Sequence, residues 1–264
     1  MDRGHAALRP HAPHADAPPV LVFDLDDTLY LERDYVRSGL EAAAALVAPS
    51  QRDRVLRACF DAFERMHPFD DAREEGAKRP FDAARVFDLA LARCGLARDG
   101  ALPGELGEAY RLHRPVIRLS EDAARFLAWL PRTVPTGLVS DGPPAAEARK
   151  LQALGLLERF DHVVLTGSYG TLFRPPHPRA FAEMEVRFGR TGRSLVFVAD
   201  DPVRDFVTPR ARGWMTVAID RPGRMASRAA PTPAHEAEAR IDALDDLVEV
   251  VAALSPAVLL HGDG

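Results

Sequence analysis

Short apolar runs rich in β-branched residues punctuate the chain at wide intervals: Val20–Phe23, Thr136–Val139, His162–Leu165, Leu195–Ala199 and Met215–Ile219. Each is followed by polar, glycine or proline residues, as expected of strands buried on both faces of a parallel sheet. Helical spacing fills the stretches between them. Ser120, Glu121 and Asp122 open a helix through Leu130, the serine as N-cap and the acids at the positive end of the dipole, with Phe126, Leu127 and Leu130 on the buried side. Pro143 and Pro144 open a second helix that stops at Gly155. Leu244, Leu247, Val248 and Val251 share one face of a C-terminal helix that docks on the sheet. Strands alternating with helices predict an α/β fold built on a doubly wound, mostly parallel sheet.

Residues 31–115 break this alternation. They contain no convincing strand and several helical stretches, Glu32–Val47, Arg52–Met66, Phe81–Cys94 and Glu105–Leu112, which predict an inserted all-helical domain. The insert leaves just after the first strand and returns before the Ser120 helix, so it is placed over that strand's carboxyl end, where a lid can exclude water and read a substrate. Its alanine-rich stretch Glu41–Ala48 and its Phe60/Phe63 pair reflect helix propensity and core packing. The expected organisation is a disordered tail over 1–17, an α/β core over 18–30 and 116–254, the helical insert over 31–115, and a frayed end over 255–264.

Composition narrows the partners. At 264 residues and 47% hydrophobic, the chain can bury the core of one large domain with an insert. A formal charge of −5 and a pI near 6.0 give no electrostatic footprint for nucleic acid or an anionic membrane, so a small soluble ligand is expected. Cys59 and Cys94 do not make a disulfide framework and read as buried small residues. No apolar stretch reaches the roughly 18 residues of a membrane span. The N-terminus lacks the apolar core of a secretory signal, which points to the cytoplasm, and His5, His11 and His14 read as solvated side chains of the tail.

The candidate chemistry begins at Asp24-Leu25-Asp26-Asp27-Thr28, directly after the first strand. Residues two apart in an extended strand point the same way, so Asp24 and Asp26 leave the backbone on one side, roughly 6–7 Å apart by Cα. Ligands of parallel sheets gather beyond the carboxyl ends of the strands. Three acids in four positions, with a Thr and no base beside them to neutralise them, crowd like charges at a cost that points to a cation or phosphate site. Phosphoryl transfer needs positioning and neutralisation of the equatorial oxygens, and a carboxylate can serve as its nucleophile.

With that motif placed, the chain resembles the haloacid dehalogenase superfamily. Val22-Phe23-Asp24-Leu25-Asp26-Asp27-Thr28-Leu29-Tyr30 is similar to the first motif in its phosphotransferase form, and the helical insert to the cap that follows it. Leu138-Val139-Ser140-Asp141-Gly142 resembles the second motif. Phe197-Val198-Ala199-Asp200-Asp201-Pro202-Val203-Arg204-Asp205 resembles the fourth, with Ala199 where a glycine is usual. The resemblance implies Mg²⁺ held by Asp24, the backbone carbonyl of Asp26 and Asp200, with Asp205 in the outer coordination sphere. It implies Asp24 as nucleophile, forming an aspartyl-phosphate, and Asp26 as the acid and base that serves the leaving alkoxide and then water. Thr28 would steady the loop, and Ser140 would hold phosphate together with the backbone N–H groups of Asp141 and Gly142. Asp201 is expected to be a solvated neighbour.

The third motif departs from the pattern. Its lysine falls on Pro175 in Phe173-Arg174-Pro175-Pro176-His177-Pro178-Arg179-Ala180-Phe181, and Arg174 is the cation that a small shift of the loop would bring in. His177 reads as a turn residue. The leading expectation is a Mg²⁺-dependent phosphatase of a small phosphorylated metabolite. Pro175 motivates a second reading, a catalytically weak or silent relative that binds a phosphorylated ligand or a protein partner. A phosphomutase would transfer phosphate within one sugar instead. Carbon–halogen hydrolysis is disfavoured, because it needs no acid to protonate an alkoxide and this chain keeps Asp26 and Asp200.

Overall fold

The computed structural model describes residues 17–66, 83–96, 100–225 and 228–254. Six parallel strands, β1 (Val20–Phe23), β2 (Thr136–Ser140), β3 (His162–Leu165), β4 (Leu195–Ala199), β5 (Met215–Ile219) and β6 (Ala239–Ile241), form one sheet in the order β3-β2-β1-β4-β5-β6. Successive connections run outward from β1 in both directions, since Phe23 is in register with Leu138 on one side and Val198 on the other. The strand order therefore reverses at β1, and the crevice beyond its carboxyl end is the position where such sheets bind ligands.

Alternation in the strands explains the two buried faces. Leu21, Phe23, Val196, Val198, Met215 and Val217 share one core with Phe126 and Leu151. Val20, Val22, Leu195, Phe197 and Ala199 share the other with Phe181, Met184, Phe206 and Trp214. The first face is covered by α5 (Glu121–Trp129), α6 (Pro144–Ala153) and α9 (Leu247–Leu254). The second receives α7 (Arg179–Phe188), which ends at Gly189 in the left-handed conformation that glycine adopts without a Cβ penalty.

Between β1 and α5 lie α1 (Glu32–Ala44), α2 (Pro49–Met66), α3 (Ala83–Arg93) and α4 (Leu102–Leu112), with no strand among the described residues. Their buried faces meet through Tyr35, Leu40, Cys59, Phe63, Phe87, Leu91 and Leu106. Both cysteines are free and buried.

Five strands stand where the apolar runs place them, β2 running one residue further to Ser140. The structure adds β6 and α7, and α1 stops at Ala44 rather than Val47. Ser120 occupies the N-cap position of α5 but makes no side-chain cap hydrogen bond, which corrects that expectation. The tail over 1–16 with its three histidines, the start of the Phe81 stretch and the segment 255–264 lie outside the described residues. No helix among the described residues is long and apolar enough to cross a membrane.

Candidate active site

At the carboxyl end of β1, Asp24 carries on the strand direction and its N–H donates to the Val198 carbonyl of β4. Carboxylate oxygens of Asp24, Asp200 and Asp205 all lie within 4.8 Å of one another, and the three residues are at most 9% exposed. Thr28 donates its hydroxyl to Asp24 Oδ2 at 3.2 Å, so it steadies the Asp24 carboxylate itself. Burial, followed by the charges of Asp205 and Asp200, pushes the Asp24 pKa well above the usual carboxylate range. Burial and Asp205 do the same to Asp200. Asp205 is pushed up to about 7, burial outweighing Arg204.

The sequence places Asp205 in an outer sphere, but its carboxylate is part of the cluster. Asp205 Oδ2 also accepts the Asp201 N–H at 3.0 Å, which ties the loop after β4 into a tight turn.

Asp26 turns elsewhere. Its carboxylate meets Lys150 Nζ at 2.7 and 2.8 Å and accepts the Tyr30 hydroxyl. Asp27 allows this reversal by adopting φ +52°, a left-handed conformation that aspartate tolerates better than most residues. Its carboxylate accepts N–H groups of Glu32 at 2.9 Å and Met225 at 2.8 Å, and burial lifts its pKa to about 6. Arg221 holds the same loop from outside, its Nε donating to the Thr28 carbonyl and its Nη1 to Asp122, both at 2.7 Å.

Lys150 projects from α6, one helical turn beyond Glu147, whose Oε1 lies 2.8 Å from its ammonium. Burial opposes the charge on Lys150, yet Asp26, Glu147 and Glu32 together raise its pKa well above normal. Ser140 donates its hydroxyl to Glu147 Oε2 at 2.6 Å, which corrects its expected orientation towards phosphate. Gly142 makes room for this carboxylate: a Cβ there would lie 2.2 Å from Glu147 Oε1. The ring of Tyr35, on α1, covers the ammonium at 4.6 Å. The first helix of the insert thus closes over the site, and its leading residue Glu32 lines the cleft with a pKa pushed up to about 8 by burial and Asp26.

Arginines occupy the opposite wall. Arg204 Nη1 lies 3.3 Å from Asp141 Oδ2, and its Nε lies 2.9 Å from Asp201 Oδ2. Asp141 also accepts the Thr166 hydroxyl at 2.7 Å. Asp201 is not solvated; it is 5% exposed, accepts the Val203 N–H at 3.0 Å and pairs with Arg228. Arg174 reaches Asp141 at 3.4 Å from the rim, with its side chain 42% exposed. His177 packs edge-on against Phe173 and accepts the Arg179 N–H, as a turn residue does.

Sequence reasoning missed Lys150, Glu147 and Arg204. One signal existed for the first pair: lysine occurs only at 78 and 150, and Glu147 sits three positions before the second. The cluster of Asp24, Asp200 and Asp205 suits a hard divalent cation, since the donors are all carboxylate oxygens, and burial followed by repulsion within the cluster raises the pKa values of Asp24 and Asp200, a cost that a cation relieves.

Comparison with known proteins gives the family and the fold. A family model for haloacid dehalogenase-like hydrolases matches residues 18–211. Phosphoserine phosphatase from Thermus thermophilus is 28% identical, the match covering 76% of this chain and 88% of that protein. L-2-haloacid dehalogenase from Xanthobacter autotrophicus shares the fold at TM-score 0.58 and 21% identity, over 89% of this chain and 99% of that one. The HAD-hydrolase YfnB from Bacillus subtilis, solved bound to magnesium, superposes at TM-score 0.62 and 16% identity over the same shares. The motifs, the sheet order and the matched span together make this chain a member of the haloacid dehalogenase-like hydrolases.

Proposed function

We propose that the chain is a Mg²⁺-dependent phosphatase that hydrolyses a small phosphomonoester through an aspartyl-phosphate on Asp24. The observation that carries this reading is the convergence of the Asp24, Asp200 and Asp205 carboxylates within 4.8 Å at the end of β1, with Asp26 lining the same cleft as Asp200. The similarity to a phosphoserine phosphatase supports phosphoester chemistry over carbon–halogen chemistry.

Asp24, Asp200, Asp205 and the Asp26 carbonyl are the groups that would hold the cation. When bound, Mg²⁺ supplies positive charge that lets an anionic carboxylate approach an anionic phosphoryl group. Asp24, steadied by the Thr28 hydroxyl, attacks phosphorus in line, and the bond to the leaving oxygen breaks. Asp26, which must enter this step protonated, gives its proton to that oxygen, then as the carboxylate takes one from the water that cleaves the acyl phosphate and regenerates Asp24. Tyr30 and Lys150 orient Asp26 for both steps. Tyr35 and Glu32 come from the insert and shield the reacting groups from bulk water. The expected partner is a small phosphorylated metabolite, met in the cytoplasm.

The test is phosphate release from p-nitrophenyl phosphate and a panel of phosphorylated metabolites with Mg²⁺, run beside Asp24→Asn. Release that needs the cation and is lost in Asp24→Asn is expected. Ligand-induced thermal stabilisation without turnover at any metal or pH would instead favour the silent, ligand-binding relative that Pro175 motivates.

A further inference from the structure

Removal of the third-motif lysine leaves a charge to be found. The cleft gathers Asp26, Asp27, Glu32, Asp200 and Asp201 along its walls, with Asp24 and Asp205 beside Asp200, and a phosphoryl group would add further negative charge. Lys150 is not among the residues that line this cleft; its ammonium lies behind Asp26, between the carboxylates of Asp26 and Glu147 at 2.7 to 2.8 Å. Arg174 does not fill it either, since it lies at the rim against Asp141.

Arg204 differs from both. It springs from the tight turn after β4 and lines the cleft alongside Asp26, Asp200 and Arg228. Three carboxylates hold it: Asp141 at 3.3 Å, Asp201 at 2.9 Å and Asp205 at 3.8 Å. These residues come from the second and fourth motifs, so the guanidinium spans the two strand ends that flank β1. The Arg204 side chain is part-buried, 26% exposed, and the Asp205 carboxylate that it reaches is clustered within 4.8 Å of those of Asp24 and Asp200. A guanidinium keeps its charge under such burial and offers a planar fork of donors, which suits it to bridging several oxyanions.

We propose that Arg204 supplies the positive charge that the third-motif lysine would otherwise bring to Asp24 and the transferred phosphoryl group, with Asp141 and Asp201 as its positioning residues. This rests on the phosphatase reading. The role has moved from the loop after β3 to the loop after β4, which frees position 175 to be proline.

Two readouts separate failure of the proposal from failure of the reading beneath it. The first is turnover of p-nitrophenyl phosphate with Mg²⁺; the second is calorimetric binding of orthovanadate with Mg²⁺, which needs no turnover. The variants are Arg204→Gln, Arg204→Lys, Arg174→Ala and the double variant Pro175→Lys/Arg204→Gln, each checked for folding by its thermal melt.

Arg204→Gln is expected to lower kcat by about 100-fold or more, as loss of one preorganised electrostatic contact does, and to weaken vanadate binding by about tenfold. Arg174→Ala is expected to lose far less. Lysine at 175 is expected to restore about tenfold of the lost turnover, a rescue that a merely structural role for Arg204 would not produce. Should Arg204→Gln not fold, Arg204→Lys decides, with about a tenth or more of wild-type turnover retained because the charge remains.

The proposal is overturned by Arg204→Gln turning over and binding vanadate like wild type, by Arg174→Ala being the more damaging change, or by a folded Arg204→Lys with no turnover. A wild-type chain that binds vanadate without hydrolysing the ester contradicts the phosphatase reading, and the vanadate affinities alone then decide for or against Arg204. A wild-type chain that neither binds nor hydrolyses overturns both.

Discussion

Lys150 Nζ sits between the two carboxylate oxygens of Asp26, at 2.7 and 2.8 Å, although 124 residues separate them in the chain. Through this contact α6 grips the loop after β1, while Tyr35 covers the ammonium from the insert and Glu147 completes its surroundings. The ion pair lies within the core, and the Tyr35 ring over its ammonium is what joins it to the helical insert, at the point where chemistry is proposed to occur. The lysine side chain is 5% exposed and that of Glu147 1%, so the charges are screened little by water.

Lys150→Met leaves the buried Glu147 and the part-buried Asp26 without their cation. A destabilisation of roughly 3–5 kcal/mol is expected in urea unfolding, the range for removing one partner of a buried pair. A loss below about 1 kcal/mol would place this contact among ordinary surface pairs and contradict the account of its burial.

Cation affinity should depend on pH in a defined direction. Asp205 is pushed up to about 7, and Asp24 and Asp200 are also raised, burial being the largest cause for all three. Protonated carboxyls cannot ligate, so calorimetry should find Mg²⁺ bound more tightly at about pH 8 than at about pH 5.5, with protons released on binding. The same shifts govern the metal-free protein. Carboxyls with raised pKa values in the folded state favour folding at low pH, and that contribution is lost as pH rises through the folded values. The melting temperature of the metal-free chain should therefore fall between about pH 5 and pH 8 relative to the Mg²⁺-loaded chain. A Mg²⁺ affinity indifferent to pH would count against a carboxylate site.

Asp122 provides the opposite sign. Burial would raise its pKa, but hydrogen bonds from Arg221 and the Leu244 N–H overcome it and hold the carboxyl below the usual range. Its contribution is present above the unfolded value of about 3.9 and is lost as pH falls through the lower folded value. Asp122→Asn should reduce stability at neutral pH and flatten the acid limb of the stability curve, measured by urea unfolding at a series of pH values. An unchanged acid limb would mean that this pair does not couple α5 to the loop after β1.

The parts of the molecule legible in the sequence are those specified locally. β1, β4 and β5 are buried on both faces and announce themselves as continuous apolar runs. β6 is three residues long, and its middle residue Arg240 is exposed, so no run marks it. Asp24 and Asp200 follow strand ends directly, whereas Asp26 and Asp205 are placed by the turns that come after. Lys150, Glu147 and Arg204 owe their roles to partners that the fold brings together, with Asp141 and Arg204 63 residues apart. Arg174 shows the limit of adjacency: lying next to Pro175 in sequence does not carry its side chain inward, and it stops at the rim on Asp141. Asp201 shows the converse, a residue that reads as solvated but anchors two arginines.

The proposed chemistry depends on attack of the Asp24 carboxylate on phosphorus. Brief mixing with p-nitrophenyl phosphate and Mg²⁺, followed by acid quenching and mass spectrometry of the proteolysed chain, tests it most directly. A phosphate adduct is expected on the peptide that carries Asp24, and neither adduct nor turnover in Asp24→Asn. An adduct on another residue, or phosphate release that persists in Asp24→Asn, would contradict it.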